Sequence, residues 1–266
     1  MAHPKSRLDN LKASARKSLS QNFLSSPHWA EKLVNAVIDE HSHAYWEIGP
    51  GLGALTQLLV KQVQHPITVF EYDRKLSEDL RQTFPGICVI EGDFLKAELE
   101  PLFPKGKVSV LSNTPYHLSS PILFRLLEHR THFTRIVLTF QKEFADRLVA
   151  SPRTKAYGGL SVMCQLSFSI TSLGVIPPGA FYPPPTISSQ ALVLKPLPEG
   201  EVPFANLQKV VKAAFIHRRK KLLSNLKDVF DSADVDAAAS ALKIAPMARP
   251  EELTKETYQD LTKYLT

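Results

Sequence analysis

The sequence predicts a doubly wound, mostly parallel α/β sheet with a small C-terminal α-helical domain. From residue 44 to 194, short apolar stretches typical of strands alternate with helical patterns. That alternation indicates a parallel sheet with helices on both faces. A proline-rich break follows at 196–203, and after it only helical patterns remain. We therefore divide the chain into an N-terminal arm at 1–27, an α/β domain at 28–198 and a helical domain at 199–266.

The individual elements follow from local patterns. Pro27 opens a helix whose apolar side chains recur every three or four residues, and this spacing predicts one face packed on a sheet. The strand patterns lie at 45–48, 67–70, 87–90, 108–111, 135–140, 169–176 and 190–194. The helical patterns between the strands lie at 54–63, 76–83, 121–129, 142–150 and 160–167, and those of the C-terminal domain at 206–215, 220–230, 234–242 and 257–264.

Positive charge is concentrated in two segments. Residues 1–27 hold five Lys or Arg against one acid, and residues 209–227 hold seven against none. The positive charge that these two segments carry together is larger than the net charge of +6, so the rest of the chain is net acidic. Two basic patches on an acidic body favour a nucleic-acid partner. We expect the arm between residues 5 and 17 to be mobile until such a partner binds.

The composition argues against a membrane protein, a secreted protein and a metalloprotein. No apolar run approaches the roughly 18 to 20 residues that span a bilayer. The N-terminus is basic and polar, without the apolar core of a secretion signal. Cys88 and Cys164 show no metal-binding or redox spacing. We expect a cytoplasmic protein without disulfides, zinc or another metal.

A glycine-rich turn follows the first predicted strand, where Gly49, Gly51 and Gly53 alternate. Such a turn lets the backbone approach a ligand closely. Glu71 lies 22 residues beyond Gly49, close to where an acid accepts hydrogen bonds from ribose hydroxyls in dinucleotide-binding folds. This pattern alone fits NAD as well as S-adenosylmethionine.

Two further acids help to distinguish these cofactors. Glu47 lies inside the first strand, and Asp93 follows the third strand, where its carboxyl could accept from an adenine amino group. Acids at the rim of the site suit a cationic sulfonium better than a pyrophosphate. They therefore favour S-adenosylmethionine.

The segment from Asn113 to Tyr116 follows the fourth predicted strand and resembles the Asn-x-Pro-Tyr signature of methyltransferases that act on exocyclic amino groups of bases. The adenine amino nitrogen is a poor nucleophile because its lone pair is delocalised into the ring. The Asn113 side-chain oxygen and the Thr114 carbonyl can accept its two N–H groups, which localises the lone pair and aims it at a methyl carbon. Pro115 restricts Thr114 to extended angles, and Tyr116 can stack on an extruded base.

Seven stretches together resemble the ribosomal small-subunit RNA adenine dimethyltransferase family of the KsgA type, and the match covers almost the whole chain. The resemblance implies a Rossmann-like, S-adenosylmethionine-dependent methyltransferase that dimethylates N6 of two adjacent adenosines near the 3′ end of small-subunit rRNA. It also implies action on a pre-ribosomal small-subunit particle, and we expect a monomer. The stretches are residues 20–24, 47–51, 92–93, 112–116, 140–143, 181–185 and 215–221.

The same resemblance implies roles for individual residues. Phe181 resembles the aromatic residue that closes over the target base opposite Tyr116. Glu71 would bind the ribose, and Asp93 would lie near the adenine. The complete set of implied cofactor contacts is Asn22, Leu24, Gly49, Glu71, Asp93 and Asn113, and the implied RNA contacts are Arg218, Arg219, Lys220 and Lys221.

Three positions depart from the family pattern. Ser20 stands where the family usually has Gly, His117 where it often has Asn, and Ser188-Ser189 where an Asp-Ser or similar pair is common. Ser20 could change how the arm folds over the cofactor, so the cofactor affinity is the property these departures put in question.

Several alternatives remain open at the level of sequence. An enzyme of the Erm type, which methylates large-subunit rRNA, shares the catalytic motifs. A ribosome-assembly or transcription factor could keep the fold and bind RNA without catalysis, although the intact Asn113 and Asp93 argue against that. A nicotinamide dehydrogenase would leave the Asn-x-Pro-Tyr segment and both basic patches unexplained. A DNA adenine methyltransferase would need a larger DNA-recognition domain than the chain can hold.

Overall fold

The computed structural model describes residues 4–10, 22–217 and 219–266. The chain divides into two compact units. Unit 1 comprises Met1–Ala145 and Ile170–Pro196, and unit 2 comprises Asp146–Ser169 and Leu197–Thr266. Within the described parts of the chain, every helix is too short or too polar to cross a membrane.

The strands are β1 (Phe23–Leu24), β2 (Ser42–Ile48), β3 (Ile67–Glu71), β4 (Cys88–Glu91), β5 (Lys107–Ser112), β6 (Phe133–Gln141), β7 (Phe168–Ile176), β8 (Phe181–Tyr182) and β9 (Ser189–Pro196). The helices are α1 (Pro4–Asn10), α2 (Pro27–Val37), α3 (Thr56–Gln62), α4 (Arg74–Thr83), α5 (Ser119–Glu128), α6 (Lys142–Leu148), α7 (Gly159–Ser167), α8 (Phe204–Ala214), α9 (Leu222–Lys227), α10 (Ser232–Ala241) and α11 (Lys255–Leu265).

The main sheet of unit 1 has seven strands in the order β4-β3-β2-β5-β6-β9-β7. The first five of these run parallel to their neighbours, and β9 runs antiparallel to β6. The chain builds outward from β2 through β3 to β4 and then returns to the other side of β2 as β5. The carboxyl ends of β2 and β5 therefore flank a topological switch point, where ligands bind in open α/β sheets. The predicted fold class is confirmed.

The helix α2 shows why its sequence folds as predicted. The Ser26 hydroxyl caps its first turn by accepting from the amide of Trp29. Leu33, Val34 and Val37 are fully buried in the core of unit 1. Helical spacing puts these three side chains on one face, so their burial stabilises the helix and the sheet together.

Unit 2 is built from five helices in its described part, α7 to α11. Its core contains the fully buried side chains Val210, Leu226, Val235, Tyr258 and Leu261. Within single helices the buried positions recur at helical spacing, as at 207, 210, 211 and 214 of α8 and at 258, 261 and 262 of α11. This is why the C-terminal helices could be predicted.

The division of the chain differs from the predicted one at residues 146–169. This segment lies within the predicted α/β domain at 28–198, whereas in the structure it groups with residues 197–266. The physical reason is the packing of α7, which carries the buried Val162 and Cys164. Gly159 at its start lets α8 approach closely, since an added Cβ there would lie 3.2 Å from Val211 Cγ1.

Candidate active site

A cavity of about 310 Å³ opens at the carboxyl ends of β2, β3 and β5. Its volume is at the lower end of small-molecule sites, which span roughly 300 to 1,000 Å³. Its position is the switch point of the sheet. The cavity brings together seven residues predicted from the sequence, namely Asn22, Leu24, Gly49, Glu71, Asp93, Asn113 and Tyr116.

The glycine turn forms the floor between β2 and α3. Gly49, Gly51 and Gly53 have φ angles of +67°, +58° and +71°, values that residues with a Cβ rarely adopt. At Gly51 a Cβ would also lie 2.9 Å from the ring of Phe23. Glycine is therefore required at Gly51 by both backbone conformation and space.

Glu71, at the end of β3, anchors this turn. Its carboxyl accepts the Gly51 amide at 2.9 Å and the Asp73 amide at 2.8 Å, one on each oxygen. Burial raises the pKa of Glu71, although the hydrogen bonds from Asp73 and Gly51 act in the opposite direction. Each carboxylate oxygen has a second lone pair, so the group can still accept from a ligand hydroxyl.

Glu47 also lines the cavity but is only 1% exposed. The Thr56 hydroxyl donates to it at 2.6 Å. Burial, with a smaller contribution from the Glu71 charge, raises the pKa of Glu47 to about 8. At neutral pH this carboxyl is therefore mostly protonated, and the expectation that Glu47 adds negative charge to the rim needs correction.

The polar groups of the cavity fit an adenosine-bearing cation better than a dinucleotide. Glu71 and Asp93 are acceptors suited to ribose hydroxyls and an adenine amino group. Among the described residues that line the cavity there is no Lys or Arg to pair with a pyrophosphate. The Gly51 amide, a possible phosphate donor, is already bonded to Glu71. These observations argue against NAD and fit S-adenosylmethionine.

Asp93 lies on a loop that a helix residue holds in place. The Asp93 carboxyl accepts the Leu95 amide at 2.9 Å and is half-buried. From α5, the Arg125 guanidinium donates to the carbonyls of Leu95 and Ala97 and lies 5.7 Å from the centre of the Phe94 ring. No local pattern in the sequence points to Arg125, because its carbonyl partners are 28 and 30 residues away.

Asn113, directly after β5, is held at both ends of its side-chain amide. Its Nδ2 donates to the Asn22 carbonyl at 2.8 Å. Its Oδ1 accepts the Thr139 hydroxyl at 2.8 Å. An amide oxygen has two lone pairs, so one remains for a further donor. Thr139 is a residue that the sequence analysis did not identify.

Tyr116 is oriented by a serine on β9. Its hydroxyl lies 2.6 Å from the Ser189 hydroxyl, and burial raises the pKa of Tyr116. Ser189 is fully buried, whereas Tyr116 is half-buried at the cavity edge. Ser189 belongs to the pair Ser188-Ser189 that departs from the family pattern, and its contact with Tyr116 is not evident from the sequence.

Phe181 is not among the described residues that line the cavity, and its expected position opposite Tyr116 stays a prediction. Its side chain is 4% exposed and belongs to the apolar core that also contains Leu24. The strand β8 pairs antiparallel with β1, with Phe181 opposite Leu24. This pairing puts Phe181 beside Leu24, which lines the cavity.

The predicted RNA contacts lie in unit 2, between α8 and α9. Arg219, Lys220 and Lys221 are exposed, and Arg218 lies outside the described residues. The turn that carries them is tied down by the fully buried Asn225, whose Nδ2 donates to the carbonyls of Ala214 at 2.6 Å and His217 at 3.0 Å.

The start of the N-terminal arm is helical, in contrast to the expected mobility. In α1, Arg7 donates to the Leu52 carbonyl and forms an ion pair with Asp79. Leu8 is buried in a small cluster with Phe23, Leu52 and Leu76. Residues 11–21, including Ser20, lie outside the described part of the chain.

Solved structures with a similar fold include a dimethyladenosine transferase from Plasmodium falciparum, with a TM-score of 0.76 and 24% identity over 90% of this chain and 95% of that one. The 23S rRNA methyltransferase ErmE has a TM-score of 0.68 and 24% identity over 92% of this chain and 99% of that one. At these identities the likeness shows the fold alone.

Sequence relatives are closer. A ribosomal RNA small subunit methyltransferase A from Aromatoleum aromaticum is 39% identical over 94% of each chain. Another from Shewanella amazonensis is 37% identical over 94% of this chain and 95% of its own length. The family model for ribosomal RNA adenine dimethylase matches residues 12–266. The chain therefore belongs to the ribosomal RNA adenine dimethylase family.

Proposed function

We propose that this enzyme transfers methyl groups from S-adenosylmethionine to N6 of two adjacent adenosines near the 3′ end of small-subunit rRNA, two on each. The observation that carries the proposal is the Asn113 amide, held by Asn22 and Thr139 at a cavity with acidic acceptors. The relatives that match at 37% and 39% identity over nearly their whole length are named small-subunit methyltransferases, which supports the choice of subunit.

The cavity residues would hold the cofactor by its adenosine and methionine parts. S-adenosylmethionine supplies an electrophilic methyl group on a sulfonium. Glu71 accepts from the ribose hydroxyls with its remaining lone pairs, and Asp93 accepts from the adenine amino group. Asn22, Leu24 and Gly49 line the remaining wall, and Asn113 borders both the cofactor and the target base.

The target adenine would enter beside the Asn-x-Pro-Tyr segment. The Asn113 Oδ1 and the Thr114 carbonyl accept the two N6 hydrogens, so the nitrogen lone pair points at the methyl carbon. Tyr116, fixed by Ser189, stacks on the extruded base, and stacking of this kind contributes roughly 1 to 3 kcal/mol per base. Phe181, on the strand that pairs with β1 at the cavity wall, would close over the base opposite Tyr116, as the family resemblance implies.

The proposal extends to the RNA contacts of the enzyme, its oligomeric state and its place in the cell. Arg218, Arg219, Lys220 and Lys221 bind rRNA phosphates, and the exposure of the last three supports this. The enzyme acts as a monomer on a pre-ribosomal small-subunit particle in the cytoplasm. A second role in ribosome assembly is compatible with catalysis.

Methylation of large-subunit rRNA is the alternative that the experiment must separate, since ErmE shares the fold. The purified full chain is incubated with S-adenosylmethionine and either small-subunit particles or large-subunit rRNA, and modified adenosines are mapped by mass spectrometry. We expect dimethyladenosine at two adjacent small-subunit positions. Modification of large-subunit rRNA alone, or of neither, would overturn the proposal.

The role of Asn113 is tested in the same assay. Asn113→Ala should abolish methyl transfer while leaving RNA binding within about twofold, because the lost acceptor contributes to the transition state. The control is Asn35→Ala, an exposed asparagine on α2. Methyl transfer at the wild-type rate by Asn113→Ala would contradict the mechanism.

A further inference from the structure

We propose that Thr139 is a positioning residue that holds the plane of the Asn113 amide, and this inference rests on the proposed function. Thr139 contacts Asn113 and does not line the cavity. It would therefore act on the target base only through Asn113.

Strand register brings the two residues together. In the parallel pair β5 and β6, Ser112 lies opposite Leu138, so Asn113 and Thr139 are the next residues along each strand. On its other side Thr139 pairs with Ala191 of β9. With paired strands on both sides, Thr139 has no exposed surface. Its backbone is thus fixed at a point from which the hydroxyl reaches Asn113 Oδ1.

A buried hydroxyl requires a hydrogen-bond partner, and here the partner is the catalytic amide. The Thr139 hydroxyl donates to Asn113 Oδ1 at 2.8 Å. The Asn22 carbonyl accepts from Nδ2 and thereby determines which end of the amide is oxygen. Thr139 adds a second fixed point, so the amide cannot rotate about its last torsion. The remaining Oδ1 lone pair then keeps one direction.

This direction matters more for the second methyl than for the first. Each transfer would form a bond from N6 to the methyl carbon and break the carbon–sulfur bond, so that the sulfonium leaves as a neutral thioether and N6 releases one proton to solvent. The unmodified amino group offers two N–H donors to Asn113 Oδ1 and the Thr114 carbonyl, whereas the monomethylated group offers only one. If the Asn113 amide can rotate, the second transfer should therefore slow more than the first, and the fraction of monomethylated product should increase.

The test compares Thr139→Val, which removes the hydroxyl at nearly constant volume, with Thr139→Ser, which keeps it. Thr139→Val should lower kcat about 10-fold and raise the fraction of monomethyladenosine, with KM and Kd for S-adenosylmethionine within about twofold of wild type. Thr139→Ser should stay within about threefold of wild type. Thr68→Val, a half-buried strand threonine outside the cavity, is the control.

An independent readout is the side-chain amide NMR signal of Asn113, assigned by its loss in Asn113→Ala. We expect faster solvent exchange of this amide in Thr139→Val and wild-type exchange in Thr139→Ser.

Thr139→Cys replaces Thr139→Val if thermal unfolding shows that the valine variant does not fold. Wild-type kcat, product ratio and amide exchange in the hydroxyl-free variant would overturn the inference, as would a serine variant as slow as valine. Failure of the proposed function is separate: the wild type would then leave small-subunit rRNA unmodified, and the amide exchange would still decide the role of Thr139.

Discussion

The two threonines beside Asn113 differ in what their hydroxyls contact. The Thr139 hydroxyl donates to Asn113 at 2.8 Å. Thr114 is 2% exposed, and among the described residues its Oγ1 has no hydrogen-bond partner. A buried hydroxyl without a partner destabilises the folded state, because it has given up its bonds to water. The proposed chemistry uses only the backbone carbonyl of Thr114.

Thr114→Val should therefore raise the free energy of unfolding by about 1 kcal/mol, since the valine methyl takes the place of the unpaired hydroxyl. Methyl transfer should stay within about twofold of wild type. Urea unfolding and single-turnover methylation measure the two quantities. A loss of stability together with a loss of transfer would show that the hydroxyl takes part in binding.

At the scale of elements, the glycine turn links three parts of the cavity. It follows β2, it bonds through the Gly51 amide to Glu71 of β3, and it approaches the ring of Phe23 on β1. A change at Gly51 is therefore transmitted to the group proposed to bind the ribose.

Gly51→Ala should weaken S-adenosylmethionine binding at least 10-fold and lower the free energy of unfolding by about 1 to 3 kcal/mol, because the alanine must adopt a positive φ and push on Phe23. Calorimetric binding and urea unfolding provide the measurements. The matched control is Gly86→Ala, since a Cβ there meets no atom within 4 Å. Equal behaviour of the two variants would contradict this account of the turn.

At the scale of the whole molecule, the buried Glu47 makes stability depend on pH. Its pKa is about 8 in the folded protein against 4.5 as the ordinary value. A raised pKa contributes stability that is fully present below pH 4.5 and is lost as the pH rises through 8, because the folded state must then hold a buried charge. The free energy of unfolding that is lost when Glu47 ionises is on the order of a few kcal/mol.

Glu47→Gln keeps an acceptor for Thr56 but cannot ionise. Its free energy of unfolding, relative to that of the wild type, should increase as the pH rises from 5 to 9. Urea unfolding at several pH values tests this expectation, with the exposed Glu98→Gln as control. A difference between Glu47→Gln and wild type that stays constant over this range would rule out titration of Glu47 as the cause.

The exposed cations between α8 and α9 predict salt-dependent RNA binding. Replacing Arg219, Lys220 and Lys221 with alanine should weaken binding and reduce the slope of log affinity against log salt by about 2 to 3, because each cation releases a counterion on contacting phosphate. Filter binding at several salt concentrations measures the slope. Alanines at Lys61, Lys105 and Lys107, exposed at the other end of the sheet from the cavity, should leave it unchanged. An equal effect of both triple variants would remove the cluster from the RNA surface.

Local patterns in the sequence were sufficient for the fold class and for the residues that carry a motif. Alternating strand and helix patterns predict the sheet, and the segment from Asn113 to Tyr116 predicts amino-group methylation because its residue types and order are specific. The glycine turn with Glu71 was ambiguous between two cofactors, since both place a ribose beside a carboxylate. The structure adds that no Lys or Arg is among the described residues lining this cavity.

Only the tertiary structure decided which side chains support these groups. Thr139 lies 26 residues from Asn113, and Ser189 lies 73 residues from Tyr116. The register of β5 against β6 creates the first contact, and the turn after β5 brings Tyr116 to β9 for the second. No pattern local to either segment specifies these distant partners. The grouping of residues 146–169 with the C-terminal helices likewise depends on packing between segments that are distant in the sequence. The sequence by itself thus determined the fold and the reacting groups, whereas the orientation of those groups depends on packing between segments far apart in the chain.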